Sequence, residues 1–452
     1  MSRLIFLLFL IGAHSLLLGQ ELNRRAFLGV QLSSLSDSAA KANNIPKGNG
    51  VLILQVFPAS SASAADLRKG DIILAVDQAV VRGVAGFLGQ IKAYEAGDNA
   101  NLQIMRTGQK QTLDLVFKPM SGEEYDNASV QYDAVKGPSG LLRTILTLPE
   151  GAKNPPVLYI IQGIDCGSID IAFQPSSSYR RLIDACHEAG IATFRVEKSG
   201  VGDSKGTACR DCDFMEDAEG FLAGLKQLKK DKTIDAEKIY LLGISMGGVW
   251  APWMASQKSV AGIIAYGTIG RPLNEYLLEN SRRQAILRGT DFVDIEEDRK
   301  LDARLYHYLF EERMSPQAVM SEHPDLSARL LQISREAKQS EVEHLFADRN
   351  YQFHQQLQHL NLSQSWNEVD GRVLIVWGKG DFVSAREDHI LIEQVVNADQ
   401  QDQAEFVEVD ANHWFQQSND MPSAYAARLN GENPPINLEV FKTFTDWIMR
   451  DS

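Results

Sequence analysis

From residue 26 onward the apolar positions come in short runs separated by glycine and polar turns. FLGVQL (27–32) reads as a strand entry and GVLILQV (50–56) as a second strand. A small-residue segment, PASSASAAD, follows, and DIILAV after a KGD turn reads as a third strand. In VAGFLGQIKAYEAGD (84–98), Val84, Phe87, Leu88 and Ile91 recur at helical spacing. NANLQIMRTGQKQTLDLVF (99–117) alternates apolar and polar residues on either side of TGQ, the pattern of a β-hairpin. These elements fill one unit over 26–119. The polar stretch SGEEYDNAS then reads as a linker within 120–129.

Beyond it the rhythm changes. SVQYDAV and GLLRTILTLPE form a hairpin-like pair. PPVLYIIQG, IATFRVE, KIYLLGIS, AGIIAYGT and RVLIVWG are compact apolar runs, the pattern of strands covered on both faces. Between and after them lie amphipathic segments: SYRRLIDACHEAG, ending at a glycine cap, then DAEGFLAGLKQLKK and EVFKTFTDWIM. Strand–helix alternation predicts an α/β fold with a mostly parallel central sheet over 130–452. Residues 271–370 break the rhythm with helical patterns such as ARLYHYLFEERM. An insert that long between two strands is expected to fold as its own helical lid. Five histidines fall in it (His307, His323, His344, His354, His359). None has metal-ligand spacing, and they read as surface or packing residues.

The first unit resembles a PDZ domain over its whole length, through FLGV and LRKGD. The resemblance implies a small mixed β/α domain whose carboxylate-binding loop is Phe27, Leu28, Gly29 and Val30. Successive backbone N–H groups there would receive a peptide carboxylate, and the next strand edge would take an extended chain.

A chain of 452 residues calls for two or three domains, which the pattern supplies. Net charge is −14, against the basic patch that nucleic-acid binding requires, so no nucleic-acid partner is expected. The N-terminus, MSRLIFLLFLIGAHSLLLGQ, sets Arg3 before an apolar run broken by His14, with small residues after it. It reads as a signal peptide over 1–19, too short to span a bilayer. The mature chain is therefore expected to be exported, periplasmic or secreted, with no membrane span. Four cysteines (Cys166, Cys186, Cys209, Cys212) permit disulfides in such a compartment. CRDC has no second CxxC and reads as structural, involving Cys166.

Chemistry concentrates in YLLGISMGGVW. Gly243, Ser245 and Gly247 form G-x-S-x-G after an apolar strand and before a helix. A serine there sits on a strained turn with its hydroxyl exposed at a helix N-terminus. Such a hydroxyl needs a base. Asp381 lies just past the strand VLIVWG, and His413 follows 32 residues on in VDANHWF. Asp388 and Asp410 are rival acids, the first in a helical pattern and the second three residues before His413. Oxyanion donors are expected from Met246, after the serine, and from Ile164 in the loop IIQGIDCGSID.

Residues 130–452 thus resemble an α/β-hydrolase, with Ser245, Asp381 and His413 in the family's Ser–acid–His order. VEKSGVGDSKG (196–206) is similar to the family's R-G-x-G-x-S loop. Gln162 stands where many members carry histidine, and Lys198 replaces the usual arginine. In the family sheet Cys166 and the CRDC loop follow adjacent strands, which implies a disulfide from Cys166 to Cys209 or Cys212 at the rim of the site. The resemblance implies a serine hydrolase, a carboxylesterase-type enzyme working through an acyl-enzyme, without cofactor or metal. The alternatives are a serine peptidase acting on chains presented by the PDZ unit, with a protein C-terminus as partner, and a catalytically silent peptide-binding scaffold.

Overall fold

The computed structural model describes residues 22–334, 342–398 and 401–450; the expected signal peptide lies outside them. Among the described residues no helix is long and apolar enough to cross a membrane.

The first unit is a small antiparallel sheet with three short helices. Strands β2 (Val30–Ser34), β3 (Val51–Val56), β4 (Ile72–Val76), β6 (Asn99–Arg106) and β7 (Gln109–Val116) follow in that spatial order, and β5 (Ala79–Val80) pairs with β4. β1 (Ala26–Phe27) pairs separately with β8 (Lys118–Pro119). The helices are α1 (Asp37–Ala42), α2 (Ser61–Ala64) and α3 (Gly83–Ile91). Ala100, Leu102 and Ile104 point inward from β6 while Asn99, Asn101 and Gln103 face out, the two-residue period the sequence displays. They meet Val51, Ile53, Ile73 and Phe87 in one core. β2 ends the ladder, so one edge is unpaired.

The second unit is an eight-stranded sheet: β9 (Ala128–Lys136), β10 (Leu141–Pro149), β11 (Val157–Ile161), β12 (Ala192–Val196), β13 (Ile239–Ile244), β14 (Gly262–Tyr266), β15 (Arg372–Gly378) and β16 (Ala404–Val409). Its order is β16-β15-β14-β13-β11-β12-β10-β9. The six strands from β12 to β16 in that row are parallel; β9 and β10 are antiparallel. β11, β12, β13 and β14 are buried along their whole length, as their unbroken apolar runs require. Helices α4 (Ser178–Glu188) and α15 (Leu438–Met449) cover one face. α5 (Phe214–Leu228), α6 (Gly247–Gln257) and α13 (Arg386–Val396) cover the other. The chain runs from β11 outward to β12, then returns to the other side of β11 as β13. The crevice beyond the carboxyl ends of β11 and β13 is a topological switch point, where open α/β sheets bind ligands.

Between β14 and β15 come α7 (Leu273–Leu287), α8 (Phe292–Tyr306), α9 (Pro316–Glu322), α10 (Ser327–Ser334), α11 (Tyr351–Gln358) and α12 (Leu362–Asn367). They supply the helical insert; α14 (Met421–Leu429) precedes α15. The connection read as a linker is held firmly. Glu123 is buried and takes two hydrogen bonds from the buried Arg195, at 2.7 and 2.8 Å, and a third from the Ile171 N–H. Arg180 lies 3.9 Å over the Tyr125 ring. The first unit docks on the second through Arg24, which bridges Asp170 and Asp203, and through Phe27 stacked on Phe173 at 4.4 Å.

Candidate active site

β13 delivers Ser245 to the crevice. The residue sits at φ +54°, a left-handed conformation that costs a non-glycine residue energy and is held only by its surroundings. The Ser245 N–H donates to the Tyr266 carbonyl at 2.8 Å, and its own carbonyl accepts from Gly248 at 2.9 Å as α6 begins. Gly247 has no room for a side chain: a Cβ there would collide with the Ile161 carbonyl. The turn is therefore pressed against the end of β11, and that contact keeps the serine exposed to the crevice.

Asp381 and His413 arrive from the ends of β15 and β16. The His413 Nδ1–H donates to Asp381 Oδ2 at 2.8 Å. Asp381 is fully buried and also accepts from the Ser384 hydroxyl at 2.6 Å and from the Val383 and Ser384 N–H groups at 2.8 and 2.9 Å. Burial pushes its carboxyl up, but His413 and the Ser384 donors pull it further down, below the ordinary carboxylate range. The His413 loop is shaped by its neighbours. Tyr266 donates to the Asn412 carbonyl at 2.6 Å, and Phe415, at φ +64°, stacks on Tyr266 at 4.3 Å. Gly267 leaves the pair its space: a Cβ there would stand 2.9 Å from Asp381 Oδ2 and 3.0 Å from His413 Nδ1. The rival acids are engaged elsewhere. Asp388 takes Arg271 at 2.8 and 3.0 Å, and Asp410 pairs with Lys379 at 2.7 Å.

Ser245, Met246, Gly163, Ile164 and His413 line one cavity of about 480 Å³. A Cβ on Gly163 would lie 3.3 Å from Ser245 Cβ, so the loop after β11 passes directly beside the serine. Met246 precedes the first residue of α6, so its N–H is among those a helix cannot satisfy internally. The rest of the wall is mostly apolar: Ile269, Leu273, Tyr276 and Leu277 from one side, Phe346 and Val383 from the other. The sequence pattern did not reveal that Asn280, Ser281 and His354 also line it. His354, read as a surface or packing residue, is buried, and its ring is held well below the usual histidine range, at about 3, by burial and by the nearby Arg349. Ser384 and Arg349 carried no motif either.

Cys166 is bonded to Cys209, which closes the choice the CRDC pattern left open; Cys186 and Cys212 are free and buried. Among the described residues no cluster of histidine, cysteine and carboxylate side chains is arranged to hold a metal.

In the first unit, the Leu28 and Gly29 carbonyls accept from Ala62 and Phe57. A trans peptide points its C=O and the following N–H in opposite directions. The Gly29 and Val30 N–H groups therefore face away from those donors. By the same rule the Leu28 N–H faces away from Ser61, whose hydroxyl donates to the Phe27 carbonyl; the Leu28 side chain is buried in the core and Phe27 packs on Phe173. The loop opens into a cavity of about 1070 Å³ walled by β2 and α3 on one side and on the other by Gly200–Gly206, Cys209 and Ala347 of the second unit. Ala347 lines both cavities.

A PDZ-domain model matches residues 26–116, and an alpha/beta hydrolase fold model matches residues 156–420, more than half of the chain. The periplasmic serine endoprotease DegP of Escherichia coli K12 is 25% identical over 114 residues, which is 25% of this chain and 24% of DegP. The esterase EstD of Thermotoga maritima is 25% identical over 134 residues, 29% of this chain and 31% of EstD. The chain thus spans only about a quarter to a third of these relatives. Among solved structures, Est1E of Butyrivibrio proteoclasticus with bound ferulic acid covers 70% of this chain and 99% of its own, at 14% identity and a TM-score of 0.42.

Proposed function

The chain belongs to the alpha/beta hydrolase fold family, and from that premise we propose that it is a serine hydrolase of carboxylesterase type. The observation that carries this reading is the convergence of Ser245, in its left-handed turn, with the Asp381–His413 hydrogen bond on one cavity. His413 accepts the Ser245 proton as the oxygen attacks an ester carbonyl, and Asp381 orients the ring and stabilises the imidazolium. The Ile164 and Met246 N–H groups receive the negative charge that develops on the carbonyl oxygen. His413 returns the proton to the departing alcohol, leaving an acyl-serine. It then takes a proton from water, which attacks the acyl carbon and restores Ser245. A mostly apolar cavity of about 480 Å³ is the size of a small-molecule site, which favours a small ester with an apolar acyl or aromatic group over a folded protein.

The peptidase alternative has one observation in its favour, the open N–H groups of Gly29 and Val30 beside a cavity that shares Ala347 with the catalytic one. In our reading this groove takes the carboxyl end of a peptide, separately from the ester. The Cys166–Cys209 disulfide supports an exported protein. The test is turnover of p-nitrophenyl butyrate beside a peptide anilide: wild type should cleave the ester and Ser245→Ala should not. Cleavage of the anilide alone would favour the peptidase, and failure of an activated fluorophosphonate to label folded protein would favour the silent scaffold.

A further inference from the structure

The loop that carries Ile164 is held through its backbone carbonyls by two cationic side chains. Lys198 Nζ donates to the Gly163 carbonyl at 2.6 Å and to the Asp165 carbonyl at 2.9 Å. The Arg349 guanidinium donates to the carbonyl between them, Ile164, at 3.1 Å. Three consecutive carbonyls are thus held by two cations whose side chains are completely buried. Asp217 on α5 is their common counter-ion, 2.8 Å from Arg349 and 3.9 Å from Lys198. The Trp250 ring lies 5.0 Å from the ammonium. Burial pushes the Lys198 ammonium down to about 8 even with Asp217 beside it, so keeping a charge there is costly.

The geometry of the peptide plane turns this grip into an aim. The Gly163 carbonyl and the Ile164 N–H belong to one trans peptide and point in opposite directions. Fixing the carbonyl on Lys198 therefore fixes the N–H in the opposite direction, in a loop so close to the nucleophile turn that a Cβ on Gly163 would lie 3.3 Å from the Ser245 Cβ. Lys198 comes from the loop after β12, whereas Arg349 comes from the helical insert, 185 residues from the carbonyl it holds. Arg349 also donates to the Cys212 carbonyl and contacts the Cys209 sulfur, so it ties the insert to the disulfide-bearing rim.

We propose that Lys198 and Arg349 are positioning residues for the oxyanion hole: pinning the carbonyls of residues 163–165, they hold the Ile164 N–H in the direction that meets the negative charge of the transition state. The inference rests on the proposed ester hydrolysis. It extends that reading by making the insert part of the catalytic apparatus as well as the cover of the cavity. A donor held this way acts on the transition state far more than on the bound ester, so its loss should appear in kcat rather than KM.

The experiment compares wild type, Lys198→Met, Lys198→Arg and Arg349→Lys on p-nitrophenyl butyrate. Inhibition by a trifluoromethyl ketone, which forms a tetrahedral adduct with serine, is measured in parallel. Lys198→Met should lose roughly 10- to 100-fold in kcat, short of the 10²–10³ expected for deleting a donor outright, with KM within about twofold. Its affinity for the ketone should fall in proportion. Lys198→Arg and Arg349→Lys, which keep a cation at each place, should recover to within about fivefold of wild type. Should Lys198→Met not fold, those two conservative variants still decide: a roughly two- to fivefold loss of kcat matched by ketone affinity at unchanged KM supports the proposal, whereas loss of kcat with full ketone affinity, or no loss in either, overturns it. Folded Lys198→Met with wild-type kcat and ketone affinity also overturns it. Absence of ester turnover by wild type, with no labelling of Ser245, would instead defeat the underlying reading.

Discussion

At the scale of single residues, the three proposed catalytic side chains could be read from the sequence because each sits just past an apolar strand and in family order. What surrounds them could not. Ser384 is an ordinary serine three positions after Asp381, and only the fold turns its hydroxyl onto the carboxylate at 2.6 Å. Ser384→Ala should leave the protein folded and lower kcat about tenfold, in line with a hydrogen bond to a charged group; steady-state kinetics with a thermal melt checks both. Asp381→Asn should be more severe, about 10⁴-fold in kcat, because the amide cannot hold the ring in its working tautomer. His354 is packed among Phe310, Phe346 and Phe353, and what its spacing does not signal is that it also lines the cavity that holds Ser245. His187 and His354 are both held below the usual histidine range, to about 4 and about 3, by burial first and then by neighbouring arginines. Between pH 6.5 and about 4 the unfolded chain therefore takes up protons that the folded one refuses. Stability should fall as pH drops through that window and stay flat, as far as these groups go, above it. Denaturant midpoints at pH 7.5, 6 and 5 for wild type and for a His187→Gln, His354→Gln variant measure this; an equal pH dependence in both would show that neither ring is held neutral.

At the scale of elements, the strands were legible because both-face burial demands unbroken apolar runs, and β11 and β13 have them. The connection at 120–129 was not. Its polar composition signals a loose segment, but Glu123 is polar because it neutralises the buried Arg195. Removing one partner of such a pair strands the other charge, so Glu123→Ala should cost about 3–5 kcal/mol, read from urea denaturation. The insert was legible as helical, but not what it reaches: no periodicity carries a signal for a contact 185 residues away, which is what Arg349 makes with Ile164. The loop after β14 is equally constrained. Gly267→Ala would put a methyl against both Asp381 and His413 at φ +61°, so activity should fall by at least about 100-fold with a smaller effect on the melting temperature. Near-normal turnover would mean the pair has more room than its geometry allows.

At the scale of the whole molecule, the two units were legible as a PDZ-like module followed by a hydrolase, and the structure and family matches agree. Their mutual arrangement had no sequence signal. Arg24 and Phe27 meet the second unit at Asp203 and Phe173, and the cavity beside β2 is walled in part by the 200–206 loop. A peptide with a free carboxyl end should bind, and its amidated form should not, by fluorescence anisotropy on the full chain; equal binding of both would remove the carboxylate role from Gly29 and Val30. The proposal that Ser245 is a nucleophile served by Asp381 and His413 is tested by intact-mass analysis of the full chain after exposure to a fluorophosphonate, with peptide mapping of the adduct. Wild type should carry one label on Ser245, His413→Ala should label far more slowly, and Ser245→Ala should not label. A folded wild type that stays unlabelled, or carries the label elsewhere, would contradict the claim.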